Sequence, residues 1–143
     1  MKNFEKQTIK LNSEEDTRAL GLRIADAAEP GDVVALIGDL GTGKTALTGY
    51  IAEGLGIKED ISSPTFTIMK EYRSGRLPLY HFDAYRLESG AELLDTGAEE
   101  IIDGDGLCVI EWADIVADVL PADSLALRIT YGETEGSRTV EVL

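Results

Sequence analysis

The chain has 143 residues, 43% of them hydrophobic, and a formal net charge of −14. That size fits one domain with one core, and no apolar run approaches the length a bilayer span needs. A pI near 4.3 excludes non-specific nucleic-acid binding by this chain alone, which requires a basic face.

Met1 to Lys6 has no apolar signal-peptide core, and the single Cys108 rules out an intrachain disulfide, so a cytoplasmic protein is expected. Gln7 to Leu11 alternates enough for a strand. Ser13 suits an N-cap, Glu14, Glu15 and Asp16 suit a first turn, and Leu20, Ile24, Ala27 and Ala28 form an apolar stripe. The helix is expected to end at Glu29, where Pro30-Gly31-Asp32 makes a turn.

Val33 to Ile37 is a continuous apolar run fit for a buried parallel strand. Gly38-Asp39-Leu40-Gly41-Thr42-Gly43-Lys44-Thr45 follows and satisfies G-x-x-x-x-G-K-[ST]. Ala46 to Leu55 then reads as a helix stopped at Gly56. Strand, glycine loop and helix in this order gather backbone N–H groups around a phosphate. Asp39, Leu40, Gly41, Thr42 and Gly43 are therefore nucleotide-binding candidates. Lys44 supplies charge to the β- and γ-phosphates, and the Thr45 hydroxyl is the expected Mg²⁺ ligand.

A polar connector ends in Ser62-Ser63-Pro64-Thr65, and Phe66 to Tyr72 reads as a strand. Arg73 to Arg76 is a hairpin turn, and Leu77 to Phe82 is the return strand, ending at Asp83. An acidic helical region runs from Gly90 to about Ile102. Leu107 to Ile110 is a second buried strand, ending at Glu111-Trp112. Ala113 to Leu120 is a short helix. Ser124 to Tyr131 and Arg138 to Val142 pair around a turn at 132–136. The expected fold is an α/β domain with a mixed sheet, parallel around the glycine loop and antiparallel at its added strands, flanked by helices.

A phosphate loop needs a second Mg²⁺ contact, usually an acid at the C-terminal end of a neighbouring strand. Glu111 follows the purer apolar run and takes the metal role, directly or through water. Asp83 is the second candidate, holding a metal-bound water or orienting the attacking one. Thr65 either senses the γ-phosphate or belongs to a turn fixed by Pro64. His81 is read as a packed, hydrogen-bonded histidine rather than a base. Trp112 either stacks near the site or fills the core. Arg73 and Arg86 are possible charge stabilisers without diagnostic spacing. No Lys or Arg occurs between Arg86 and Arg128, and that acidic stretch is either a solvated face or a docking surface for a basic partner.

The glycine loop, Ser63-Pro64-Thr65-Phe66, His81-Phe82-Asp83-Ala84-Tyr85-Arg86 and Ile110-Glu111-Trp112 together resemble the bacterial TsaE family, in order and over nearly the whole chain. The resemblance implies an ATPase of tRNA threonylcarbamoyladenosine synthesis, with ATP between the glycine loop and the opening segment. It implies Mg²⁺ on Thr45 and Glu111, and Lys44, Asp83 and Glu111 as the catalytic set. Ser13, Glu14 and Gly136 would lie near the nucleotide by position. The implied partners are the TsaB and TsaD proteins, with tRNA reached through them and hydrolysis resetting their complex between cycles. The sequence departs from the family at Thr42, where Ala is common, and at Ala84, where a larger apolar residue is common. A small-molecule or nucleotide kinase is the alternative, though no Arg-rich lid is visible. A GTP switch lacks any N-K-x-D motif.

Overall fold

The structure is a computed structural model that describes residues 1, 4–39, 41–64 and 68–143. Seven strands form one sheet: β1 (Gln7–Leu11), β2 (Val33–Ile37), β3 (Met69–Tyr72), β4 (Leu79–Asp83), β5 (Leu107–Glu111), β6 (Leu125–Tyr131) and β7 (Arg138–Val142), ordered β1-β7-β6-β2-β5-β4-β3. The central pairs β6–β2, β2–β5 and β5–β4 are parallel. The outer pairs β1–β7, β7–β6 and β4–β3 are antiparallel. The mixed sheet expected from sequence is thus the observed one.

The apolar run of β2 has a direct cause. Val34 and Leu36 face a core shared with α1 (Glu14–Ala27) and α2 (Lys44–Gly54). Val33 and Ala35 face a second core under α3 (Gly90–Asp95), α4 (Ala98–Ile102) and the 3₁₀ segment Ala113–Val119. With both faces covered, alternation gives way to continuous hydrophobicity. β5 is built the same way, with Leu107 and Val109 on one side and Cys108 and Ile110 on the other.

Several element ends differ from the sequence expectation. Helix α1 stops at Ala27 instead of Glu29. The residue before a proline avoids helical angles, and the Glu29 N–H is taken by Asp32 Oδ2 at 2.8 Å. Arg76, from the β3–β4 turn, donates to Ala25 O and Ala28 O at 2.6 and 3.1 Å and caps the helix end. The region from Gly90 to Ile102 is two helices, because Gly97 turns the chain at φ 85°. β4 begins at Leu79, after Pro78, which has no N–H for the ladder. β3 is assigned from Met69 onward, and the expected start at Phe66 lies outside the described residues. The expected helix after Trp112 is 3₁₀. Among the described residues, no helix is long and apolar enough to cross a membrane.

Candidate functional site

The site lies where β2 hands over to α2, at the C-terminal ends of the parallel strands. Gly41 and Gly43 hold φ of 81° and 100°, a left-handed region that L side chains avoid. Gly43 is the N-cap of α2, so the first turn of the helix opens on the loop. Gly38 packs so closely that an added Cβ would lie 2.5 Å from Ile129 O. The Thr42 hydroxyl donates to Asp39 O at 2.8 Å and braces the loop from within. Leu40 and Thr65, both singled out above, lie outside the described residues.

Lys44 is buried, and its ammonium curls into the loop, donating to Gly38 O at 2.5 Å and Asp39 O at 2.9 Å. It also sits 4.2 Å from the centre of the Trp112 ring. Burial pushes the Lys44 ammonium below the ordinary lysine range, while Glu111, Asp39, Asp83 and Asp114 oppose that shift. Among the described residues, Trp112 is the one non-glycine with positive φ, at 58°. That angle ends β5, and the half-buried indole both packs against the second core and faces Lys44 of the loop. The Tyr85 ring lies tilted against the indole, with centroids 5.0 Å apart.

The two carboxylates converge as the sequence suggests. Asp83 and Glu111 are register partners in the β4–β5 ladder. The Thr45 hydroxyl lies 3.1 Å from both Oε1 and Oε2 of Glu111. Asp83 accepts from the Ser63 hydroxyl at 3.1 Å and from the Tyr85 N–H at 2.9 Å. Gly41, Gly43, Lys44, Thr45, Ser63, Asp83, Glu111 and Trp112 line one cleft of about 390 Å³. Glu111 is buried, whereas the other acids between Arg86 and Arg128 are exposed. That contrast separates a site carboxylate from a charged surface.

Ser13, Glu14, Thr42, Gly43 and Gly136 line a second hollow of about 300 Å³ with Leu11, Leu47 and Ile129. The two hollows share Gly43 and Ala46. Ser13 also caps α1, accepting from the Asp16 N–H at 3.3 Å. Arg73 is not at the site. It pairs with Glu71 at 2.8 Å and bonds the Tyr80 hydroxyl, toward the opposite end of β4.

Sequence reasoning missed Arg138. Its guanidinium donates to Thr42 O and Gly41 O at 3.2 and 3.3 Å and lies 4.7 Å from the centre of the Tyr131 ring. No local pattern marks it, because the contact spans 96 positions in the chain.

Comparison with known proteins adds to this geometry. The family model of the threonylcarbamoyl adenosine biosynthesis protein TsaE matches residues 11–140. The chain belongs to the TsaE family. It is 46% identical over 129 residues to the tRNA threonylcarbamoyladenosine biosynthesis protein TsaE of Bacillus subtilis, covering 90% of this chain and 78% of that one. The TsaE protein of Treponema pallidum is 44% identical, covering 91% and 95%. A crystal structure of Bacillus subtilis YdiB superposes with a TM-score of 0.80 at 37% identity, over 98% of this chain and 87% of that one. The TsaE match includes the glycine loop, Asp83, Glu111 and Gly136.

Proposed function

We propose that this TsaE-family chain binds ATP with Mg²⁺, hydrolyses it slowly, and supports tRNA threonylcarbamoyladenosine modification by acting on a TsaB–TsaD complex in the cytoplasm. The observation that carries the reading is the Thr45 hydroxyl set against both carboxylate oxygens of Glu111, at the mouth of a glycine loop. Among the described residues, no group of three or more His, Cys, Asp or Glu side chains is arranged to hold a metal by itself. A hydroxyl and one carboxylate are the share of ligands that Mg²⁺ takes from a protein when phosphates supply others. The residues therefore fit the ion.

In this reading the loop amides and the first turn of α2 bind the phosphates, with the dipole of the helix adding to the attraction. The Lys44 ammonium exchanges the Gly38 and Asp39 carbonyls for phosphate oxygens. Thr45 and Glu111 hold Mg²⁺, which when bound neutralises charge on the β- and γ-phosphates. Asp83, fixed by Ser63 and the Tyr85 N–H, orients water beside the same cleft. The hollow lined by Leu11, Leu47 and Ile129 takes the nucleoside, with Glu14 at its polar rim. Among the described residues that line this cleft there is no arginine, so basal turnover is slow and a partner completes the site.

The test is an ATPase assay with and without the TsaB–TsaD complex. Slow basal hydrolysis, accelerated by the complex, supports the reading. Turnover that ignores the complex, together with modification that proceeds without this chain, defeats it. Phosphate appearing on a small acceptor instead of in solution would favour a kinase.

A further inference from the structure

His81 is the single histidine of the chain and is fully buried. It stands on β4 opposite Val109 of β5, and Glu111 lies two residues further along the same face of the sheet. His81 Nε2 is 2.5 Å from Glu111 Oε2. Nδ1 is buried and, among the described residues, has no hydrogen-bond partner.

These facts assign the proton. A carboxylate only accepts, so Nε2 donates. Nδ1 faces no acceptor or donor among the described residues, so the imidazole makes its one hydrogen bond through Nε2. Packing alone does not explain the residue, since Val or Leu would fill an apolar slot without an unpaired nitrogen. What the imidazole adds is a short, rigid donor aimed at one oxygen of one carboxylate. The Thr45 hydroxyl lies 3.1 Å from both oxygens of Glu111, and among the described residues it is the one hydrogen-bond partner of Oε1.

We propose that His81 is a positioning residue: its Nε2–H fixes Oε2 of Glu111, so that Oε1 is presented beside Thr45 to a divalent cation. The inference rests on the nucleotide-and-metal reading of the cleft. Partners that orient a ligating carboxylate change metal affinity when removed, although they never touch the metal.

The probe is Mn²⁺, titrated in the presence of ADP and followed by electron paramagnetic resonance of the free ion. The full chain is compared with His81→Leu and His81→Gln, and ADP affinity without metal is measured in parallel. Expected for His81→Leu is Mn²⁺ affinity about 10–100-fold weaker, with metal-free ADP affinity within about twofold of the unaltered chain. His81→Gln, whose amide can still donate, recovers most of the loss. Unchanged Mn²⁺ affinity in His81→Leu overturns the proposal. So does an equal loss of metal-free ADP binding, which marks a general structural effect. If the unaltered chain with ADP binds no Mn²⁺, the metal reading of the cleft fails first and the role of His81 with it.

Should His81→Leu not fold, the unaltered chain decides. Its one imidazole gives an unambiguous nitrogen NMR spectrum. A protonated Nε2, with the Nε2 resonance moving when Mg²⁺ is added to the ADP-bound chain, supports the proposal. An Nε2 without a proton, or an Nε2 resonance indifferent to the metal, overturns it.

Discussion

Thr45 and Glu111 are 66 positions apart in the chain, yet the hydroxyl of one lies 3.1 Å from each carboxylate oxygen of the other. One residue stands in the first turn of α2 and the other closes β5. Their meeting requires β2 and β5 to be parallel neighbours, as they are, with Leu36 beside Glu111 in the ladder.

Glu111→Gln keeps the shape of the side chain and an oxygen for His81 while removing the charge. ATP turnover should fall at least about a hundredfold, the loss typical of one missing charge-stabilising group. ADP binding without metal should persist, because the loop amides and Lys44 are untouched. Steady-state hydrolysis and an ADP titration check both halves, and an unaltered rate would count against the metal role.

Arg138 ties the last strand to the glycine loop through Gly41 O and Thr42 O. Across the same planar peptide as Thr42 O, the Gly43 N–H points the opposite way, so holding the carbonyl orients the amide. Arg138→Ala should weaken nucleotide binding about tenfold, as expected for loss of charge-assisted hydrogen bonds. Arg138→Lys should not restore it, since an ammonium lacks the planar fork. Calorimetric titration of ADP distinguishes the three chains.

At Gly38 the constraint is space. An added methyl would lie 2.5 Å from Ile129 O and 2.8 Å from Thr42 Oγ1, the first of them backbone in β6. Gly38→Ala should cost about 1–3 kcal/mol of stability, the usual range for overpacking, and should impair nucleotide binding as well. Denaturant unfolding gives the first quantity. Unchanged stability would show that β6 yields at this point.

Cys108 supplies a pH signature. Burial pushes its thiol from 9.0 up to about 12. The folded chain therefore keeps the proton through a range where the unfolded chain loses it. Stability should fall as pH rises from about 9 toward 12, by about 1.4 kcal/mol per pH unit from this group. Tyr80 is also raised to about 12, chiefly by burial, and adds a fall of the same sign. Cys108→Ala should flatten the decline without abolishing it, as read from unfolding curves across that range. Thiol reagents should label the native chain only upon unfolding.

Much of this was legible in the sequence because it is local. The glycine loop carries its own spacing, the runs before it and before Glu111 lack alternation because both faces are covered, and each candidate acid ends a strand. What was illegible depends on contacts between distant segments. The alternation around His81 gives its face but not the carboxylate it reaches. Arg138 looks like an ordinary strand residue until β7 is seen beside β6. The break at Gly97 rests on a glycine that takes φ 85°, a local signal inside an otherwise helical pattern, whereas nothing local marks the segment after Trp112 as 3₁₀. The Thr42 hydroxyl donates to Asp39 O, a contact within the loop that the spacing of the motif does not announce.

The β4–β5 ladder sets Asp83 opposite Glu111 and Phe82 opposite Ile110. A slip of one position would send every side chain of the slipped strand through the sheet. Phe82 would leave its core, and the acids would part company in the same event. Chemistry and folding are thereby locked to a single alignment, and a misaligned sheet would be unstable as well as inactive. Changes of length are best absorbed by the helical crossover between these strands and worst absorbed within either strand.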